Sequence, residues 1–167
     1  MGVGAASSTS SDASGAGQAD WLGALVFSGS DEPVLIKADR LEFQYDNLLL
    51  VYKGNVEISQ GQTIVRATEV RVYLSHGDRT EIQQVHASGH VRISQGERWA
   101  TAREALFDQT KRTAILRGEA VLHDGRNEVK GETVTVYLDQ KRSVVEGGNG
   151  RVQAVFYPSA GSVPPTP

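Results

Sequence analysis

GNVEISQG, residues 54–61, returns with few changes as GHVRISQG, residues 89–96, 35 positions further on. A catalytic motif is needed once, whereas a building block is needed several times. The near-copy therefore speaks of architecture first, and function has to be sought in what that architecture encloses.

Following the opening glycine of each block gives Gly54, Gly89, Gly118 and Gly147. The third block, GEAVLHDG, keeps the glycine-to-glycine length, and the fourth, GGNGRVQA, has lost most of the likeness. Six residues after each closing glycine stands a small residue, at Ala67, Ala102 and Gly131, with Ala38 as the earlier equivalent. From small residue to next opening glycine is 16 positions in units one, three and four, and 22 in unit two, where SHGDRTEIQ lengthens the connection. Apolar residues alternate with polar ones inside each unit, the period of a half-buried strand. Val56 and Ile58 share a face, as do Val91 and Ile93, then Leu41 and Phe43, then Val134 and Val136.

One step breaks the alternation in every unit: Ala38 to Leu41, Ala67 to Val70, Gly131 to Val134. A bulge or a corner at that step would turn the strand while keeping its apolar face inward. Turn signals separate the strands at Asp46-Asn47, His76-Gly77-Asp78, Asp124-Gly125 and Asp139-Gln140. Helical periodicity is nearly absent. The pattern predicts an all-β fold of repeated antiparallel strands, a dozen or more and short, with a sandwich or solenoid as the plain reading.

The 167 residues suit one domain with a real core. Cysteine is absent, which excludes disulfides and thiolate metal sites. Net charge is −3, and Arg and Lys are scattered, so no stripe for tracking nucleic-acid phosphates is visible. No apolar run approaches the roughly 18 residues of a membrane span. Residues 1–30, small and polar at first with an apolar WLGALVF at 21–27, are expected to be a flexible leader. Residues 31–157 are expected to form the domain, and 158–167 a disordered Pro-rich tail.

Enzymatic and metal readings find little support. His86 and His90 are the nearest histidine pair, yet four residues on a strand span about 13 Å, too far to share a zinc at about 2 Å. His76 and His123 occupy expected solvent positions. Asp39, Glu69, Glu104 and Glu132 recur near the start of each unit, and repetition favours a solvated face over a catalytic pair, which needs two unlike environments. No phosphate loop, nucleophile elbow or metalloprotease helix occurs. No cofactor is expected.

The sequence does supply inward apolar faces of little bulk. The candidate interior is Ile36, Ala38, Leu41, Phe43, Val56, Ile58, Ile64, Val70, Val72, Val91, Ile93, Phe107 and Leu116, in a chain with only four Phe and two Trp. Such an interior is either a plain core or a groove left open for an aliphatic guest.

The run DEPVLIKADRLEFQYDNLLLVYKGNVEISQGQTIVRATEVRVY resembles the OstA-type domain family of lipopolysaccharide transport proteins, over about residues 31–157. Within that family the sequence reading favours the bridge branch over the LptC-like periplasmic domain. The resemblance implies an open, twisted β-jellyroll in the periplasm, with a hydrophobic groove that takes lipopolysaccharide acyl chains. By the same resemblance, lipid-meeting positions fall on Val34, Ile36, Ile93 and Phe107. The implied partners are lipopolysaccharide, an inner-membrane LptC-like jellyroll, an outer-membrane LptD-like jellyroll, and further copies of the chain joined head to tail. Transport would then draw its energy from an associated ATPase. The opening strand, 34–38, and the closing strand, 151–157, carry little charge or proline, as edges meant to accept a partner strand would. The rival reading from another class is a structural β-repeat module with a filled core.

Overall fold

Gly54, Gly89 and Gly118 do not end strands; they bend them. A computed structural model describes residues 32–158 apart from 79 and 141, and in it all three glycines stand mid-strand. The leader and the tail beyond 158 lie outside the described residues. Ten strands are formed among them: β1 (Leu35–Lys37), β2 (Arg40–Gln44), β3 (Leu49–Gln60), β4 (Thr63–Leu74), β5 (Ile82–Gln95), β6 (Arg98–Asp108), β7 (Thr113–Asp124), β8 (Asn127–Tyr137), β9 (Arg142–Glu146) and β10 (Gln153–Val155). The expectation of a dozen or more short strands is thus corrected. The six central strands are each 11 to 14 residues long, because a glycine read as a boundary is a corner within one strand.

The corner has a specific chemistry. Gly54 and Asn55 both take positive φ, 82° and 46°, and so do Gly89 and His90, 84° and 50°. The ladder between β3 and β4 pairs Lys53 with Glu69 and resumes at Val56 with Ala67, so two residues on β3 face one, Thr68, on β4. Between β5 and β6 the same count sets Gly89 and His90 against Arg103. A side chain is also sterically barred here. A Cβ on Gly54 would come 2.5 Å from Asp39 Oδ2, and one on Gly89 would collide with the Thr68 side chain. Both collisions are with the residue that follows a small residue, Ala38 or Ala67. The two recurring signals of the sequence, small residue and opening glycine, are the two sides of one bulge. The expected break in alternation is where the register shifts.

Repeated across the sheet, the corners crease it into two leaves. The first leaf holds β2, the leading parts of β3, β5 and β7, the trailing parts of β4, β6 and β8, and β9. The second leaf holds β1, the remaining parts and β10. β3 consequently pairs with β2 on one leaf and β1 on the other, and β8 pairs with β9 and β10 in the same way. All ladders are antiparallel, and the path runs β1-β3-β4-β5-β6-β7-β8-β10. Among the described residues no ladder joins β1 or β2 to β9 or β10, so the jellyroll stays open.

One apolar cluster lies between the leaves, with Val70, Val72, Val85 and Val134 from the first and Val56, Val91, Ala100 and Leu122 from the second. Val56, Val70, Val91 and Val134 are at most 1 % exposed, and burial of each is worth about 1.5–3 kcal/mol. The expected turns at Asp46-Asn47, His76-Gly77-Asp78 and Asp139-Gln140 fall between successive strands, and at Asp124-Gly125 the aspartate ends β7 and the glycine opens the turn into β8. The β6–β7 turn is fastened from inside. Asp108, 6 % exposed, accepts the Lys111 backbone N–H at 2.9 Å and the Gln84 Nε2 at 3.0 Å. The Lys111 amide, with Gln84 and the Thr110 amide, holds its carboxyl below the usual carboxylate range despite burial, which acts the other way.

Candidate functional site

The leaves do not meet everywhere. Between them lies a cleft walled by Val34, Ile58, Thr63, Val65 and Ile93 of the second leaf or its approach, and by Val85, Ala87, Ala105, Phe107, Ala114, Leu116 and Val136 of the first. Its free volume is about 80 Å³ and its walls are almost wholly apolar. Gln60 and Thr63 supply polar groups at one end, and Gln95 Nε2 reaches the Thr63 hydroxyl at 3.4 Å. Backbone amides are spent in the ladders, so the cleft offers a guest hydrocarbon rather than hydrogen bonds.

Apart from Ile64 and the fully buried Val70, the sequence-derived candidates divide into four groups. Val34, Ile58, Ile93, Phe107 and Leu116 line the cleft. Val56, Val72 and Val91 are buried in the cluster without lining it, and Ile36 and Ala38 pack half-buried against that cluster. Leu41 and Phe43 pair with Tyr52 and Leu50, two residues that pack on the cluster, so they share the inner face at the β2 edge. Leu41 is 54 % exposed there, and Phe43 meets Tyr45 edge to face at 4.5 Å.

Ile64 is a correction. Its neighbours Thr63 and Val65 line the cleft, so strand alternation turns Ile64 to the outer face, where it pairs with Ser59 and Ser94. Counting by twos back from Val70 passes through the bulge at Ala67-Thr68, which moves every earlier residue of β4 to the other face. Val65 and Thr63 were legible from the same step. Ala87, Ala105 and Ala114 were missed because alanine carries almost no periodic signal.

The outer faces hold the polar residues. Asp39 accepts from Asn55 Nδ2 at 3.0 Å, Glu69 from Arg71 Nε at 2.8 Å, and Glu132 from the Glu119 backbone N–H at 3.3 Å. Glu104 sits 3.1 Å from His86 Nε2. Each carboxylate is engaged locally, on a separate strand or corner. His123, expected in solvent, is instead half-buried: its ring stacks on Trp99 at 4.6 Å, 12° from parallel, with Arg92 over the same indole. Its Nδ1 lies 3.4 Å from Glu128, whose carboxyl is held below its usual range by Lys130 and, more weakly, by His123.

The two ends of the sheet are unlike. β1 is held by pairs from Leu35↔Ser59 to Lys37↔Glu57. The closing strand is shorter than its alternation suggests, because only Gln153–Val155 pairs, with Lys130 to Glu128 of β8. A turn at Gly147-Gly150 takes up the residues before it. After it, the Tyr157 backbone N–H donates to Asn127 Oδ1 at 2.8 Å, and Arg126 covers the Tyr157 ring at 4.2 Å. The outward edges of β1 and β10 are free among the described residues.

This creased, open sheet is a known form. The profile of the LptA/(LptD N-terminal domain) LPS transport protein family matches residues 35–142, well over half of the chain. The chain belongs to this family. An uncharacterised protein of Rhizobium meliloti (strain 1021) is 28 % identical over 138 residues, which is 78 % of this chain and 74 % of that one. Among solved structures, LptH of Pseudomonas aeruginosa, the LptA-homologous periplasmic component of the lipopolysaccharide transport device, superimposes with a TM-score of 0.64 at 18 % identity. The match covers 77 % of this chain and 97 % of LptH. At that identity the likeness carries the fold alone, and what it carries is the LptA-like jellyroll.

Proposed function

We propose that this member of the LPS transport family is a periplasmic bridge protein whose cleft shields the acyl chains of lipopolysaccharide on their way to the outer membrane. The observation that carries the reading is the apolar cleft between the leaves, open to solvent at Val34, which is 47 % exposed. Ile36 and Ala38, with Leu41 and Phe43 at the β2 edge, are the remaining inner-face candidates with some exposure, and they are read as extending that surface.

Magnitudes support the reading. Each methylene withdrawn from water is worth about 0.8 kcal/mol, so a twelve-carbon chain represents roughly 10 kcal/mol. Several such chains do not cross an aqueous space unshielded. The present free volume of about 80 Å³ takes only part of one chain. Loading therefore parts the leaves at the open flank, where β1 is fixed by a ladder of three residues.

The free edges of β1 and β10 suit strand addition. Because the two edges differ, copies join head to tail, and such contacts extend unless a rotation closes them. The same edges are the proposed docking places for the LptC-like and LptD-like jellyrolls.

A photo-reactive residue at Ile36, on the inner face, is expected to crosslink to lipopolysaccharide, and one at outward Lys37 is not. Equal labelling at both would sink the inside–outside assignment. Labelling at neither would favour the structural module, whose core takes no guest.

A further inference from the structure

The described chain begins at Glu32, and that point is the mouth of the cleft. Gln60 Nε2 donates to the Glu32 carbonyl oxygen at 2.8 Å, and both Gln60 and Val34 line the cleft. The described residues thus start at the open flank.

What precedes Glu32 includes WLGALVF, residues 21–27, six apolar residues and a glycine with no charge among them. Between this stretch and Val34 lies only the polar spacer SGSDEP, residues 28–33. A spacer of that length reaches at most about 20 Å, enough for the chain to double back over the mouth. It is also short enough to hold the apolar stretch there at a millimolar-range effective concentration. An uncharged apolar heptad beside an uncharged apolar cleft gains by entering it, for the same reason that hydrocarbon does.

We propose that residues 21–27 dock in the mouth of the cleft as a built-in placeholder that an incoming acyl chain displaces. The proposal rests on the reading of the cleft as an acyl-chain site, and gives that site a regulation. An empty cleft is covered by the protein's own segment instead of exposing apolar surface, and a guest must outcompete a tethered rival. The tether decides between this segment and the other apolar candidate, the exposed Val152 and Phe156 of a second copy, which arrive only at bulk concentration.

Two tryptophans are present, Trp21 and Trp99, so the difference in emission between the full chain and Trp21→Phe reports Trp21 alone. Its emission should be blue-shifted in the ligand-free chain and move to the red when dodecanoic acid is added. In a full chain carrying Leu25→Asp and Phe27→Asp it should be red from the start. That double variant should bind a fluorescent twelve-carbon fatty acid about tenfold more tightly, the ratio for a site covered about nine-tenths of the time. A solvent-like Trp21 in the ligand-free chain overturns the proposal. Equal probe affinity of the two forms also overturns it and leaves the acyl-chain reading standing. A blue shift lost on dilution overturns it in favour of a second copy. If neither form binds the probe while the blue shift still depends on Leu25 and Phe27, docking is supported and the acyl-chain reading fails.

Discussion

The second leaf is sealed at its β6–β7 side and open at its β1 flank, although both are written with the same repeat. On the sealed side, β6 and β7 present Ala100 and Ala120, both 0 % exposed, with Leu122 at 5 %. On the open side, β1, β3 and β4 present Ile36, Ile58 and Val65 half-buried and Val34 near half exposed. The difference lies in side-chain size and in each strand's place in the sheet. Alanines on the sealed flank let the leaves close over it, and β1 on the open flank has a neighbour on one side only. One bulge geometry therefore serves both a packed core and an open cleft.

The harshest way to break this comparison is to place one carboxylate on each side. Leu122→Asp puts an unpaired charge in the sealed flank and should cost about 4 kcal/mol or more, most of the margin of a domain at the low end of ordinary stability. Ile58→Asp at the open flank should cost roughly 1–2 kcal/mol, stay folded by circular dichroism, and lose acyl-probe binding more than tenfold. Similar unfolding midpoints for the two would show that the flanks are packed alike.

A milder version adds bulk instead of charge. Ala100→Leu overpacks the sealed flank and should lower stability by about 1–3 kcal/mol in urea. Ala114→Leu projects into free cleft volume and should cost under about 1 kcal/mol while weakening acyl-probe binding. Equal destabilisation by both would mean that the cleft has no room to give.

The smallest effect sharpens the comparison by testing the first leaf's own fastening. The Asp108 carboxyl is held below its ordinary range in the folded protein, so the stability it brings is fully present above that ordinary range. It is lost as pH falls through the lowered value. Asp108→Asn should therefore cost roughly 1 kcal/mol at pH 7, with the two urea midpoints converging as the pH falls through the lowered value and acyl-probe binding unchanged at neutral pH. A midpoint difference that persisted in acid would assign the effect to geometry rather than charge.

Much of this was legible in the sequence, and the misses share one cause. Alternation, the step of three and the spacing of glycines state the antiparallel repeat and its bulges. They do not say whether a glycine ends a strand or creases it. Gly54 needs its partner Asp39 for that, and the two are neighbours only once the sheet exists. Ile64 faces out because the bulge at Ala67-Thr68 resets the parity of β4, and the step from Ala67 to Val70 already marked that reset. His123 was left in solvent because its indole neighbour, Trp99, lies across a ladder and not along the chain. The cleft's alanines could not announce themselves, since a side chain that leaves space is defined by what surrounds it.

The crease also limits how such a protein can change in size. Each corner locks a residue of one strand against the next, so residues cannot be added within a strand without throwing its remainder out of phase. Two kinds of growth remain. Loop length is free, and the long second unit uses it: its extra residues fall between the paired Tyr73 and Gln84, beyond the last regular rung, and leave the corners aligned. Cleft length is quantised, because it grows only by a whole hairpin, two strands at about 4.8 Å each. A relative with a longer cleft is expected to be longer by complete units, in steps of roughly 10 Å, with no intermediate bore.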